Sequence, residues 1–466
     1  MSRKLVLILV LLILLPFLVY VTLLYVRFNS TEVPSGDPVR NINTRLNYTT
    51  IQAAIDANET LDGHTIFVEE GVYYERVIVK KAVSLIGENR STTIIDGKGR
   101  DMGVTVTDKR ITIKELTVRN CTTGIYLKNS NNSLVIENIA IFNDNAILVY
   151  DSVNCTFRQN ILGNNTERGI LVTNSRNFTV SNNRVYGNGI SPYAGYGLNV
   201  NFSANGLIKQ NYAYENDYDG IGLFDSSNCT VVENNVENNR LNGILLSTSP
   251  NNLVYHNNLI NNTIQAADFD PTNRWDDGVE GNYWSNYGWF DLNHDGIGDT
   301  AQAVGGNQDN KPLMGQFHSF NTSMGFYVNV ISNSTIEDFV FFEPNSTLRI
   351  HVSNLSAAQL FGFCRICIPK ALMDVINISV LINDGQTPVL YYNYTLYDNG
   401  THRWIYFSYQ HSILKIKIIL VSIIPYSAII HDCNTNGSDS LQKKEVHTHT
   451  SRKTSLEPEA HFSSIF

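Results

Sequence analysis

Two successive stretches, GIGLFDSSNCTVVENNVENNRLN (residues 220–242) and GILLSTSPNNLVYHNNLINNTIQ (residues 243–265), carry the same residue types at the same offsets. Four earlier segments match them, opening at Gly124, Ala146, Gly169 and Gly197, so the openings are 22, 23, 28, 23 and 23 residues apart. Six places after each opening stands Ser: Ser130, Ser152, Ser175, Ser203, Ser226 and Ser249. Eight places on stands Asn (Asn132, Asn154, Asn177, Asn205, Asn228 and Asn251), and fourteen places on Asn again (Asn138, Asn160, Asn183, Asn211, Asn234 and Asn257). Between these columns apolar residues alternate, as in Ile221/Leu223 and Ile244/Leu246, which predicts short strands rather than helices. A unit this small cannot bury its apolar face alone; stacked neighbours can. The period predicts one coil of a parallel β-helix, with the Asn columns as amide ladders at the bends. Six coils at the inter-strand spacing make a rod segment of about 29 Å.

The rest of the chain divides around this repeat. Residues 1–27 hold an uncharged apolar stretch, Leu5 to Val26, behind Arg3 and Lys4. That length suits an uncleaved signal anchor, a single transmembrane helix that leaves the following residues outside the cytoplasm, although cleavage is an alternative. Residues 28–45 read as a linker. Residues 46–280 are assigned to the β-helix, capped by an amphipathic helix over Thr50 to Ala57 that plugs the open end. Residues 281–316 form an aromatic and Asp-rich C-terminal cap. Residues 322–425 alternate in longer strands separated by turns such as Asn383-Asp384-Gly385, which predicts a β-sandwich. Residues 431–466 are polar, and disorder is expected.

Charged residues make up 17% of the 466, the formal net charge is -9, and basic residues do not cluster. Nucleic acid is therefore not expected as a partner. Asn-x-Ser/Thr acceptors recur, among them Asn47, Asn89, Asn154, Asn177, Asn228 and Asn399, in keeping with a glycosylated surface protein. Cys155 and Cys229 share an offset three coils apart, too far to bridge, and read as small buried hydrophobes. Cys364 and Cys367 form a lone C-x-x-C, read as core packing or a local disulfide rather than zinc.

The run TIQAAIDA (50–57), then VEEGVYYERVIV (68–79) and SLIG (84–87), resembles the opening of pectate-lyase-like and pectin-methylesterase-like β-helix proteins. The Asn-rich coils that follow resemble the NosD-type family, named for a periplasmic copper-binding protein. This resemblance implies a right-handed parallel β-helix, and its repeats specify fold better than activity. Copper is not carried over from the family name. The chain has only five Met and no Met-x-x-Met or His-x-x-Met run, and His256 is alone on its coil, whereas copper prefers clustered soft or imidazole ligands.

Two places invite function. The spacing of 28 admits an insertion around Gly189 to Tyr196, and the reading places Tyr193 and Tyr196 near Tyr212, Tyr214, Asp217, Tyr218 and Asp219. Tyrosines beside carboxylates suit sugar rings, and paired carboxylates are what glycoside hydrolysis needs. The alternative is a solvated loop over a bulge. The expected work is binding of surface or extracellular polysaccharide, with a lyase, hydrolase or epimerase as one alternative and a NosD-type copper-binding accessory protein, which the resemblance implies, as another. The second place is DLNHDGIGD (291–299), where Asp291, Asn293, Asp295 and Asp299 fall at calcium-loop positions one, three, five and nine. The closing acid of an EF-hand is replaced by Gln302, and an acidic turn held by Asx bonds is the alternative. Just upstream, Trp284 and Tyr287 are candidates for sugar stacking or for capping the last coil. This aromatic run, the Asp loop and DNKPLMG (309–315) together resemble the closing segment of NosD-like surface proteins of archaea.

Overall fold

The computed structural model describes residues 36–422 apart from 100, 190–194, 344–346, 357, 374–377, 384–388, 392–393 and 412–415. The expected anchor and the polar tail lie outside the described residues, as does Tyr193. Among the described residues no helix is long and apolar enough to cross a membrane.

Three strands per coil build three sheets of a right-handed parallel β-helix of about nine turns. Sheet A runs from Thr65–Val68 to Leu253–Tyr255, with two short antiparallel strands, Val39–Asn41 and Leu46–Tyr48, closing its first edge. Sheet B runs from Gly71–Tyr73 to Tyr283–Trp284, and sheet C from Val77–Val79 to Ile264–Asp268. Like stacks on like: Ile125, Ile147, Ile170, Leu198, Ile221 and Ile244 are successive partners in sheet C. These side chains are all fully buried, as are the middle residues of the sheet B strands, Val118, Ala140, Leu162, Val185, Ala213, Val236 and Leu259. Alternation within each strand therefore sends one set of side chains into the core and the other to the outer faces.

The two Asn columns do different work. At offset fourteen the amides form a buried ladder: the Asn183 N–H donates to Asn211 Oδ1 at 3.0 Å and the Asn211 N–H to Asn234 Oδ1 at 2.9 Å. The Ser column is laddered likewise, with Ser203 N–H on Ser226 Oγ at 3.1 Å. At offset eight the Asn residues are exposed and hold φ between 55° and 59° in the members from Asn132 to Asn251. Asn is chosen there for its tolerance of the left-handed region, not for a ladder. A second buried amide ladder, Asn143, Asn165, Asn188, Asn216, Asn239 and Asn262, stands at offset nineteen and caps the turn between sheets B and C.

The ends are closed as solenoids require. Helix Ile51–Asp56 buries Ile51, Ala54 and Ile55 against the first coils; Thr50 caps it by accepting from the Ala53 N–H, and Glu75 accepts from the N–H groups of Ile51 and Gln52. At the far end Trp275 and Trp284 are fully inside the core, ring centroids 5.7 Å apart. Each indole N–H donates to a buried carboxylate, Trp275 to Asp268 and Trp284 to Asp309.

Beyond the cap, two five-stranded antiparallel sheets share a core of Val328, Val330, Leu348, Ile350, Cys364, Ile366, Val380, Ile405 and Phe407. Cys364 and Cys367 are free and buried, without the local disulfide the spacing allowed. One buried carboxylate pins these sheets to the β-helix. Glu280 accepts from Arg365 Nε at 2.9 Å and Trp404 Nε1 at 3.0 Å, and its other oxygen meets His256 Nε2 at 2.9 Å. Burial pushes the Glu280 carboxyl up, but the His256 hydrogen bond and the Arg365 charge outweigh it and hold the pKa down at about 2.

Candidate functional site

The 28-residue coil lengthens the connection between Arg184–Tyr186 of sheet B and Tyr196–Asn201 of sheet C. The structure places the candidates around it on two outer faces. Tyr214 belongs to sheet B and Tyr196 to sheet C, with the turn through Asp217 between them. Asp217 is spent on an ion pair with Arg240 Nη1 at 3.0 Å. Asp219 is fully buried, and its Oδ1 accepts from both the backbone N–H and Nδ2 of Asn242 at 3.0 and 2.8 Å. Burial pushes the Asp219 carboxyl up to about 6. The two carboxylates are thus not a pair facing one ligand.

On sheet B the tyrosines form a column. Tyr186 stacks on Tyr214 with centroids 5.2 Å apart and planes 12° from parallel, and Tyr212 covers Tyr214 at 4.4 Å. The column starts over Gly163, where a Cβ would come within 2.5 Å of the Tyr186 ring, so only glycine leaves room for that ring. Arg184 lies 5.2 Å from both the Tyr186 and Tyr214 centroids, and its Nε donates to the Tyr214 hydroxyl at 2.7 Å. The Tyr212 hydroxyl donates to Glu237 Oε2 at 2.7 Å; burial and then this carboxylate raise its pKa, so it stays a donor. The result is a partly exposed aromatic column rimmed by a guanidinium, a carboxylate and phenol hydroxyls. Tyr186, Arg184 and Glu237 are not singled out by sequence, although Tyr186 and Tyr214 share offset seventeen, which is the signal of the column.

On sheet C, Tyr196 packs at 4.9 Å on Tyr218 and edge-on to Phe224 at 5.8 Å. Its hydroxyl is pushed up to about 12, first by burial and then by the nearby Asp219 charge.

The C-terminal candidates are structural as placed. Trp284 is buried with its N–H on Asp309, which leaves no ring face for a sugar. Tyr287 packs against the core, its ring lies over Gly298, and its hydroxyl donates to the Thr300 carbonyl at 2.6 Å. In the Asp loop, Asp291 accepts from the N–H groups of Asp295 and Gly296 at 3.0 and 2.8 Å. Asp295 accepts from Ile297, Asn293 from Asp295, and Asp299 from Leu292. These are Asx-type bonds. Among the described residues no group of three or more His, Cys, Asp or Glu side chains is placed to hold a metal ion. The carboxylates as placed serve the turn's own N–H groups, so calcium there is a proposal for a binding measurement. The His256 imidazole and the thiols of Cys121 and Cys229 are otherwise engaged or buried. His256 is engaged by Glu280 and stacks on Phe317, while burial raises the thiol pKa of Cys121 to about 12 and of Cys229 to about 11, disfavouring thiolate.

Residues 57–288 match the model of the family described as periplasmic copper-binding protein (NosD). A cell surface glycoprotein of Methanothermus fervidus is 27% identical over 216 residues, 44% of this chain and 36% of that protein. The chain therefore spans about a third of the length of that curated relative. Among solved structures, the A-module of mannuronan C-5 epimerase AlgE4 of Azotobacter vinelandii aligns with a TM-score of 0.42 and 19% identity, covering 53% of this chain and 85% of the module. ORF18 of Geobacillus virus E2 aligns with a TM-score of 0.35 and 12% identity, over 76% of this chain and 74% of that one. Similarity at these levels bears on neither activity nor substrate. The β-helix segment, residues 57–288, is of the NosD family.

Proposed function

We propose that this is an extracytoplasmic β-helix protein that binds surface or extracellular polysaccharide through the tyrosine column on sheet B. The observation that carries the reading is the Tyr186–Tyr214–Tyr212 stack with Arg184 and Glu237 at its rim. Aromatic rings offer apolar area to the C–H faces of sugars, while the rim supplies hydroxyl partners. An outer position is supported by the kinship with a cell surface glycoprotein and by the exposure of the acceptor residues Asn47, Asn89, Asn154, Asn177, Asn228 and Asn399. A membrane anchor over Leu5 to Val26 is part of this proposal. Binding to a polysaccharide panel, with loss in Tyr214→Ala, tests it. Catalysis is the second reading, favoured by the displaced pKa of Asp219. Mass spectrometry of polysaccharide products, absent in Asp219→Asn, would convert the protein from a binder to an enzyme.

A further inference from the structure

Four of the eight buried side-chain polar atoms that lack a partner among the described residues fall on one patch: Arg168 Nε, Asn199 Oδ1, Asn201 Oδ1 and Asp219 Oδ2. They belong to three consecutive coils of sheet C, away from the tyrosine column of sheet B. Register places them together. Arg168 pairs with Tyr196, and Asn199 pairs with Gly222. A Cβ at Gly222 would lie 3.8 Å from Asp219 Oδ2, so that oxygen overhangs the glycine directly beside Asn199. The column continues to Leu171 on one side of this pair and to Leu245 on the other, so glycine here leaves a pit beside Leu245. Phe224 forms its cover, with a ring carbon 2.8 Å from where the Cβ would stand and an edge contact to Tyr196.

An unpaired acceptor at this depth is unfavourable, and Asp219 and Asn199 are 0% and 3% exposed. The coil repeat requires neither side chain: the Asn199 column varies through Tyr126, Leu148, Leu171, Gly222 and Leu245, and the position of Asp219 holds Thr123, Asn145, Arg168, Tyr196 or Asn242 in the other coils. We propose that this pit is a second carbohydrate subsite, in which Asp219 Oδ2 and Asn199 Oδ1 accept from the two hydroxyls of a vicinal diol on a neutral sugar. Phe224 and Tyr196 flank the ring once Phe224 turns to another staggered rotamer. Two acceptors side by side select donors, so a diol fits and an ether or ester at the same positions does not. The carboxylate disfavours a uronate, while Arg168 offers its remaining N–H to a ring or bridging oxygen. This inference rests on the polysaccharide reading and gives it a chemical selectivity that the tyrosine column does not supply.

The test uses the full chain in detergent and calorimetric titration with a panel of neutral hexose hexasaccharides, hexuronate hexasaccharides, and the best neutral binder methylated at its vicinal hydroxyls. Three variants accompany it: Asn199→Leu and Gly222→Leu, both introducing the residue that flanks this pair at Leu171 and Leu245, and Tyr214→Ala on the other face. The expected result is preference for a neutral sugar, with about tenfold or greater weakening on methylation and in both leucine variants, Asn199→Leu at a melting temperature no lower than the parent's. Unchanged affinity in the leucine variants and for the methylated sugar, with loss only in Tyr214→Ala, would overturn the pit and leave the polysaccharide reading standing. Preference for uronates would overturn the proposed selectivity. No binding of any saccharide by the parent protein would overturn both.

Discussion

Replacing Asn211 by Ala removes one rung from the middle of the buried ladder. The Asn211 amide accepts from the Asn183 N–H at 3.0 Å and from Asn183 Nδ2 at 2.9 Å, and donates to the Val180 carbonyl at 2.8 Å and Asn234 Oδ1 at 3.0 Å. Truncation orphans the Asn183 backbone N–H, which costs about 1–3 kcal/mol, and strips one bond from each of three partners at about 0.5–1.5 kcal/mol apiece. The expected destabilisation is about 5 kcal/mol. Asn205, in the other column, is exposed with φ 56°, and its amide makes one exposed contact to Asn177 at 3.2 Å. Asn205→Ala meets mainly the left-handed penalty, about 1 kcal/mol, and Asn205→Gly escapes it. Urea unfolding followed by tryptophan fluorescence suits the comparison, because Trp275 and Trp284 lie in the β-helix core. Equal effects of Asn211→Ala and Asn205→Ala would refute the distinction between ladder and bend.

Three further outcomes are expected. Glu280→Ala strands the buried Arg365 guanidinium and should destabilise the junction by about 3–5 kcal/mol, seen as a lower calorimetric transition and faster proteolysis between the β-helix and the antiparallel sheets. Because the folded Glu280 pKa lies below its ordinary value, its contribution is present above about pH 4.5 and lost as pH falls toward 2. Asp219 has the opposite sign: its folded pKa of about 6 exceeds the ordinary 3.8, so the proton it retains favours folding at low pH and that advantage disappears as pH rises through this window. Asp219→Asn should therefore raise stability by up to about 3 kcal/mol at pH 8 and by little at pH 4; equal effects at both would contradict the buried-charge argument. If the Asp291–Asp299 loop takes calcium, millimolar calcium raises the melting temperature and Asp291→Asn abolishes the increment; no increment leaves an Asx-bonded turn.

The coil architecture was legible because stacking forces equivalent positions to repeat, and the ladder at offset fourteen and the plugging helix lie where the pattern predicts. The same repetition hid a difference. An Asn that bonds its neighbours and an Asn that accepts positive φ look alike in sequence, so the pattern alone makes Asn132 and its equivalents ladder rungs. The ladder through Asn143 and Asn262 and the Tyr186–Tyr214 column were present at constant offsets and went unread. Nearness in the chain groups Tyr196 with Tyr214, but a turn laddered by Asn188 and Asn216 sends them to different sheets. Alternation reports inside from outside within one strand; it does not report which face of the rod a strand occupies. Trp284 could cap or stack from sequence alone, and its bond to Asp309 depends on a residue 25 positions away.

The central claim is tested most directly by biolayer interferometry of the full-length protein and Tyr214→Ala against immobilised neutral and acidic polysaccharides. The account predicts saturable binding to at least one polymer and about tenfold weakening in the variant, with the melting temperature unchanged because this outer-face column also accommodates Gly163 and Glu237. Absence of binding to every polymer, or binding indifferent to Tyr214, would contradict it.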